Sequence, residues 1–226
     1  MAHIRYTNRN CIFKNETKLF DFVNERAYLY YRIYVTANNG GSTVAISKLE
    51  LGRLLKTYKK DIKAYEYLIP TMSSNSQDGY IASAKTQYSN TYAAWKAFNG
   101  TAINGNDGWA AADNARSDAN QNCDTWLQIQ LPEAQIANTL YLRVRSEGSN
   151  MTQNPRDFTL NASNDGENWT TLLTQTDQSY TEGTWEFEND TAYSYYRLCI
   201  TRTNQANAHV SVGIMNLMYR TITREY

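Results

Sequence analysis

Short runs of alternating apolar and polar residues constrain the fold of this chain more than any other feature. Leu127, Ile129 and Leu131 alternate with glutamines, and the same period of two recurs in LYLRVR (140–145) and FTLNA (158–162). This period places every second side chain on one face of a β-strand. Polar turns separate the runs, and no long helical pattern interrupts them. About eight such short strands predict an all-β fold, an antiparallel β-sandwich.

One pattern occurs twice in the chain. Residues 27–51 read AYLYYRIYVTANNGGSTVAISKLEL, and residues 192–217 read AYSYYRLCITRTNQANAHVSVGIMNL. The copies stay aligned except for one extra residue in the loop of the second copy. Because the first copy lies close to Met1, we interpret it as the end of a unit whose front is missing.

The repeat and the change of composition between its copies predict the domain organisation. The predicted segments are a partial β unit over 1–51, a connector over 52–66, a complete domain over 67–220 and a tail over 221–226. The connector is predicted to be a short amphipathic helix, because Leu55, Tyr58 and Ile62 recur at helical spacing.

The partial unit should not remain uncovered, because its predicted strands carry apolar faces and unpaired edges. We expect it to pack on the complete domain, on a second copy of the chain or on another protein. The sequence therefore predicts a homo-oligomer or a component of a larger assembly.

Composition excludes several function classes. The formal net charge is zero, so there is no basic surplus for a nucleic acid or an anionic membrane surface. The segment from Met1 to Lys18 lacks the apolar region of a signal peptide, and the odd count of 3 cysteines argues against a disulfide framework. With 2 histidines and no nucleophile or phosphate-binding motif, we expect no enzymatic activity.

Four segments carry a family pattern in a fixed order. They read AWKAFNG (94–100), WLQIQL (126–131), FTLNASNDGENW (158–169) and YYRL (195–198). Together they resemble the discoidin domain, also called the coagulation factor five/eight type C domain, over about residues 67–220. The resemblance implies a jelly-roll β-sandwich whose loops at one end bind glycans, lipids or proteins without catalysis. Arg197 alternates with strand apolar residues and is expected to be a structural hydrogen-bond donor.

The resemblance also implies a position for the structural calcium ion of many bacterial members. Their Ala-Phe-Asp-Gly turn is Ala97-Phe98-Asn99-Gly100 here, and Asn216 stands where the first copy has Glu50. Calcium prefers charged oxygen ligands, and both positions carry amides. We predict no resident metal or other cofactor, with Asn99 and Asn216 hydrogen-bonded to the loop, although Asp107 could still contribute to a weakened site.

Galactose-binding members, of the carbohydrate-binding module family thirty-two type, imply a ligand site. They use an arginine and an asparagine of a mid-domain loop, together with a histidine and an aromatic ring after the loop tryptophan. Here that tryptophan is followed by Ala-Ala-Ala-Asp, so half of the galactose site is missing. The predicted ligand-binding residues are Arg145, Asn150, Tyr88, Tyr92, Trp109, Asn204 and His209. Each aromatic residue could equally be part of the core, and His209 could be an ordinary loop residue.

Two functions stay open on the sequence. The main hypothesis is a non-enzymatic structural or adhesion protein of a bacteriophage virion, such as a tail, fibre or decoration component, with assembly proteins and cell-surface glycans as partners. The alternative is a carbohydrate-binding module of a bacterial extracellular or cell-surface protein. A membrane partner is a weak hypothesis, because Met151 is the one clear apolar residue at a loop tip.

Overall fold

The computed structural model describes residues 29–37, 42–46, 48–51, 60–102, 107–145 and 152–225. The chain divides into two compact units, Met1–Lys59 together with Tyr226, and Lys60–Glu225.

The unit Lys60–Glu225 is built from antiparallel β-strands. Its strands are β1 (Lys60–Tyr67), β2 (Ser76–Gln77), β3 (Tyr80–Ala84), β4 (Trp109–Ala110), β5 (Asn122–Gln135), β6 (Thr139–Arg143), β7 (Pro155–Ser163), β8 (Thr170–Gln175), β9 (Glu182–Glu186), β10 (Tyr193–Thr203), β11 (Ser211–Val212) and β12 (Ile214–Glu225). Short 3-10 helices span Asn90–Tyr92, Ala94–Phe98 and Asp113–Ala115.

The strands form two main sheets and one small one. The four-stranded sheet has the order β1-β12-β6-β9, and the six-stranded sheet has the order β2-β3-β5-β10-β7-β8. The small sheet pairs β4 with β11. The predicted all-β sandwich is thereby confirmed.

The core lies between the two main sheets and follows the period of two in the sequence. Leu127 and Ile129 of β5 and Leu140 and Leu142 of β6 are fully buried in one apolar cluster. Tyr196 of β10 joins them, and its hydroxyl donates to the carbonyl of Gln135. A buried tyrosine normally needs such a partner, so this ring fills the core without a lost hydrogen bond.

The predicted connecting helix is wrong from Lys60 onwards. Residues 60–67 form strand β1, which pairs with β12 from Lys60 opposite Glu225 to Tyr67 opposite Met218. The residues at helical spacing, Ile62 and Tyr65, lie on an edge strand that stays largely exposed. Backbone pairing with a strand more than a hundred residues away outweighs local propensity here, and residues 52–59 lie outside the described part.

The same pairing extends the end of the domain. Residues 221–225, which the sequence set apart as a tail, continue β12 opposite the first residues of β1. The boundaries at residues 51 and 66 stay predictions.

The described residues of the first unit contain no strand. Tyr31–Val35, predicted to be one, has no assigned secondary structure, and Tyr34 is 83% exposed. Its counterpart in the second copy is β10, which lies between β5 and β7. A strand needs neighbours that satisfy its backbone groups, and β5 and β7 provide them for β10.

Candidate functional site

The small sheet of β4 and β11 holds together the loops that carry most of the predicted ligand-binding residues. Trp109 pairs with Val212, and Ala110 pairs with Ser211. The amide of Tyr88 donates to the carbonyl of Ala110 at 2.8 Å, which attaches the loop after β3 to this sheet. Segments distant in sequence therefore lie side by side.

Trp109 supports the site from beneath. The residue is 0% exposed, and its indole Nε1–H donates to the carbonyl of Thr86 at 2.9 Å. The Thr86 hydroxyl accepts from the amide of Ala112 at 3.1 Å. The prediction that Trp109 offers a face for stacking a ligand is therefore wrong, because the ring is enclosed by the core and fixes the loop around Thr86.

Arg145 is a buried cation with an aromatic neighbour. It is 5% exposed, and its guanidinium carbon lies 4.5 Å from the centre of the Tyr92 ring. Burial lowers the pKa of Arg145, while Tyr92 and Asp107 oppose that shift. An arginine remains charged at neutral pH in such a setting, so the site holds a fixed positive charge against an aromatic ring.

Two glycines make room for Arg145. A Cβ atom on Gly108, which has φ of +83°, would lie 2.8 Å from Arg145 Cγ. A Cβ atom on Gly213 would lie 2.8 Å from the Arg145 backbone nitrogen. The close approach of these backbones explains why glycine occupies both positions.

Tyr88 connects Tyr92 to His209. The Tyr88 ring centre lies 5.8 Å from that of Tyr92 and 4.7 Å, edge to face, from that of His209. Nδ1 of His209 lies 2.9 Å from the carbonyl oxygen of Ala111, so this nitrogen carries the hydrogen. Nε2 lies 3.5 Å from an oxygen of Asp113. Tyr88 is 49% exposed, and its ring is accessible at the surface.

These contacts define a loop cluster of Tyr88, Tyr92, Arg145, His209 and Asp113. Asp113 was not predicted as a site residue. The sequence clue to Asp113 is its position three residues after Ala110. It lies in the segment after Trp109, where the galactose-site pattern has a histidine and this chain has none. His209, which belongs to a different loop, packs against this same segment. Such a long-range contact is not revealed by any local pattern.

One predicted residue lies elsewhere. The side-chain amide of Asn204 donates to the carbonyl of Gln178 at 3.0 Å, and its backbone carbonyl faces Gln121. This places Asn204 in a hydrogen-bonded group with Gln121 rather than against Arg145. Asn150, like Met151, lies outside the described residues.

The position of the family's calcium ion does not fit a metal here. The Asn99 side-chain oxygen accepts from the amide and the hydroxyl of Thr101, at 2.9 and 3.0 Å. Asn216 contributes only an amide, and Asp107 interacts electrostatically with Arg145. Among the residues that the structure describes, no three His, Cys, Asp or Glu side chains gather to hold a metal ion.

The cysteines of this unit are not poised for nucleophilic chemistry. Cys123 and Cys199 are free and half-buried. Burial, reinforced by nearby aspartates, raises the pKa of Cys123 to about 12 and also raises that of Cys199. Both remain thiols at neutral pH, and the thiolate is the reactive form. None of the helices in the described ranges has the length and hydrophobicity of a membrane span.

Comparison with known families decides the affiliation. The model of the F5/8 type C domain matches residues 81–213. The chain belongs to the F5/8 type C family. This match contains the loop cluster and all strands from β4 to β11, and it confirms the resemblance to the discoidin domain.

Several solved structures with the same fold are carbohydrate-binding modules. One is the family 32 module of NanJ from Clostridium perfringens in complex with galactose, with 16% identity, a TM-score of 0.53, and coverage of 69% of this chain and 100% of that chain. Another is CpGH89CBM32-5 from the same organism, in complex with GalNAc-β-1,3-galactose. It has 17% identity and a TM-score of 0.52, and the match covers 62% of this chain and 94% of that chain. The family 32 module of EndoD from Streptococcus pneumoniae has 14% identity and a TM-score of 0.52, and the match covers 67% of this chain and 98% of that chain. No curated protein matches the chain.

Proposed function

We propose that the domain is a non-catalytic carbohydrate-binding module and that it binds a glycan at the loop cluster. The observation that carries this proposal is the pairing of buried Arg145 with the ring of Tyr92, next to the accessible ring of Tyr88. The galactose and GalNAc-β-1,3-galactose in the NanJ and GH89 module structures support the ligand class.

The chemistry of the loop cluster suits a sugar. Aromatic rings offer apolar faces to the C–H groups of a pyranose, and charged planar side chains donate to its hydroxyls. The Arg145 side chain is held by burial and by Tyr92, so little freedom would be lost on binding. His209, held by the hydrogen bond from its Nδ1 to the carbonyl of Ala111, adds a second polar edge beside Tyr88.

A glycan array with matched variants tests the proposal. Tyr88→Ala removes an exposed ring and should reduce binding at least tenfold, about 1.4 kcal/mol, without loss of folding. Arg145→Lys keeps the charge but loses the planar donor, and a reduction is expected there too. Tyr219→Ala, which removes an exposed tyrosine on β12, is the control. Binding that survives both loop-cluster variants would contradict the proposal.

A second role is favoured by the first unit. In its described part Leu29, Tyr30 and Tyr34 are almost fully exposed, and large exposed apolar groups mark interaction surfaces. We propose that this unit contacts a second copy or an assembly protein, either in a virion or on a bacterial or extracellular surface. Light scattering should detect an oligomer, and a stable monomer over the concentration range of the assay would count against this role.

A further inference from the structure

A groove lies on the outer face of the four-stranded sheet, outside the loop cluster. The residues that line it come from all four strands: Tyr65, Tyr67, Tyr141, Thr184, Glu186 and Met218. The strand registers place them on one face, because Tyr67 is opposite Met218 and Tyr141 is opposite Thr184. The residues between them, Leu140 and Leu217, point into the core.

Hydrogen bonds fix the rings of this groove. The Tyr65 hydroxyl donates to Glu186 at 2.9 Å, and Lys63 and Arg220 also bind that carboxylate. The Tyr141 hydroxyl donates to Glu182 at 2.9 Å. Both rings are therefore held in place before any ligand arrives, which lowers the entropic cost of binding.

A second groove continues the first. The second groove has a volume of about 540 Å³ and the first a volume of about 420 Å³. Tyr80, Phe98 and Asn216 are among the residues that line the second groove. Tyr67 lines both grooves and is 65% exposed. Asn216 and Met218 are successive outward residues of β12. The two grooves thus adjoin at Tyr67, and together they are called the track.

Size and charge select the kind of ligand. Lys63 and Arg220 pair with Glu186, and Glu182 lies opposite Arg143 in the sheet. Charges of both signs therefore lie along the track, and they do not form the uniformly charged surface that attracts an ionic partner. Among the residues that the structure describes, six line the first groove, whereas a stable protein interface takes roughly 20–30 residues a side. Fixed phenol rings with neutralised polar groups fit a polyhydroxylated, uncharged ligand.

We propose that this track binds a linear, uncharged oligosaccharide that stacks a sugar ring on Tyr67 and extends into both grooves. The surface is separate from the loop cluster and uses different residues. The inference therefore holds or fails independently of glycan binding at the loop cluster.

Affinity gel electrophoresis of the full chain tests the track, with a β-glucan, a galactan, a glucomannan and a xylan as probes. The wild type should be retarded by at least one probe, and Tyr67→Ala should weaken that binding about tenfold or more, the scale of a lost aromatic contact. Tyr67→Trp should retain it. Tyr219→Ala, on the opposite face of β12, should behave as the wild type. Thermal melts of all variants verify folding.

The outcomes separate this inference from the loop-cluster proposal. Loss of binding in Tyr67→Ala with retention in Tyr88→Ala supports the track alone. Loss in Tyr88→Ala with retention in Tyr67→Ala supports the loop cluster and overturns the track. Tyr67→Ala binding that equals the wild type, failure of Tyr67→Trp to retain binding, or no retardation by any probe overturns the inference.

Discussion

Arg145 and Arg197 show two uses of a guanidinium group in one domain. Arg145 is enclosed near the surface loops against the ring of Tyr92. Arg197 lies between two tryptophan rings, with its guanidinium carbon 4.4 Å from the centre of Trp126 and 3.9 Å from that of Trp169. Its Nε donates to Gln128 at 2.8 Å, which confirms the structural role predicted for it. Arg197 ties β5, β10 and the turn before β8 together across the outer face of the six-stranded sheet.

We expect Arg197→Lys to destabilise the domain by about 1–2 kcal/mol, because an ammonium group cannot lie flat between two rings and also reach Gln128. Urea unfolding followed by tryptophan fluorescence measures this change. Arg116→Lys, at an exposed arginine paired with the exposed Asp113, is the matched control and should stay within about 0.5 kcal/mol of the wild type. Equal stability of the two variants would contradict the role assigned to Arg197.

At the scale of elements, β1 depends on contacts that span the four-stranded sheet. It is an edge strand, and Lys63 and Tyr65 reach Glu186 of β9 across the two strands between them. The hydrogen bond from Lys63 comes first among the causes that lower the pKa of Glu186, with Tyr65 and Arg220 acting in the same direction. The carboxylate therefore clamps the edge strand while it is ionised.

This clamp predicts a pH-dependent edge. Because the folded pKa of Glu186 is lowered, its stabilisation is present above its unfolded pKa and is lost as pH falls through the folded value. Hydrogen exchange should show faster opening of residues 60–67 in Glu186→Gln at neutral pH. The wild type should approach that behaviour as the pH falls below the ordinary pKa range of a glutamate and Glu186 becomes protonated. Exchange rates at β1 that do not respond to either change would argue against the clamp.

The elements also show how far the sequence predicts the fold. Strands with a clean period of two, such as β5 and β6, were predictable because each buries alternate residues wherever its partners lie. Strand β1 was not, because its apolar residues also fit a helix and its pairing with β12 is a long-range contact. In the site, Arg145, Tyr88, Tyr92 and His209 were predicted and do meet. Trp109 is buried with its indole donating to the carbonyl of Thr86, and His209 contacts Ala111 of a different loop. Both are contacts between distant segments, so local sequence did not reveal them.

At the scale of the whole molecule, the fold is that of the F5/8 type C family. At the position where the resemblance implies a calcium ion, Asn99 and Asn216 carry amides, and the Asn99 side-chain oxygen accepts from Thr101. The turn is closed by its own hydrogen bonds, and its order should not depend on a divalent ion.

Calcium at millimolar concentration should therefore leave the melting temperature unchanged to within about 1 °C, since a ligand stabilises a fold only when it exceeds its dissociation constant. Differential scanning calorimetry with calcium and with a chelator measures this. The double variant Asn99→Asp/Asn216→Glu restores the carboxylates and should gain a calcium-dependent rise. A large rise in the wild type would show that the site binds calcium.

The central claim is that the loop cluster binds a glycan, and His209 offers a direct probe of it. The chain has 2 histidines, so the His209 ring signal can be assigned in a proton NMR spectrum by its loss in His209→Gln. Titration with a glycan found on the array should shift this signal in a saturable way, with the same dissociation constant as calorimetry, and Tyr88→Ala should abolish the shift. Calorimetric binding of that glycan without any change in the His209 signal would contradict the account.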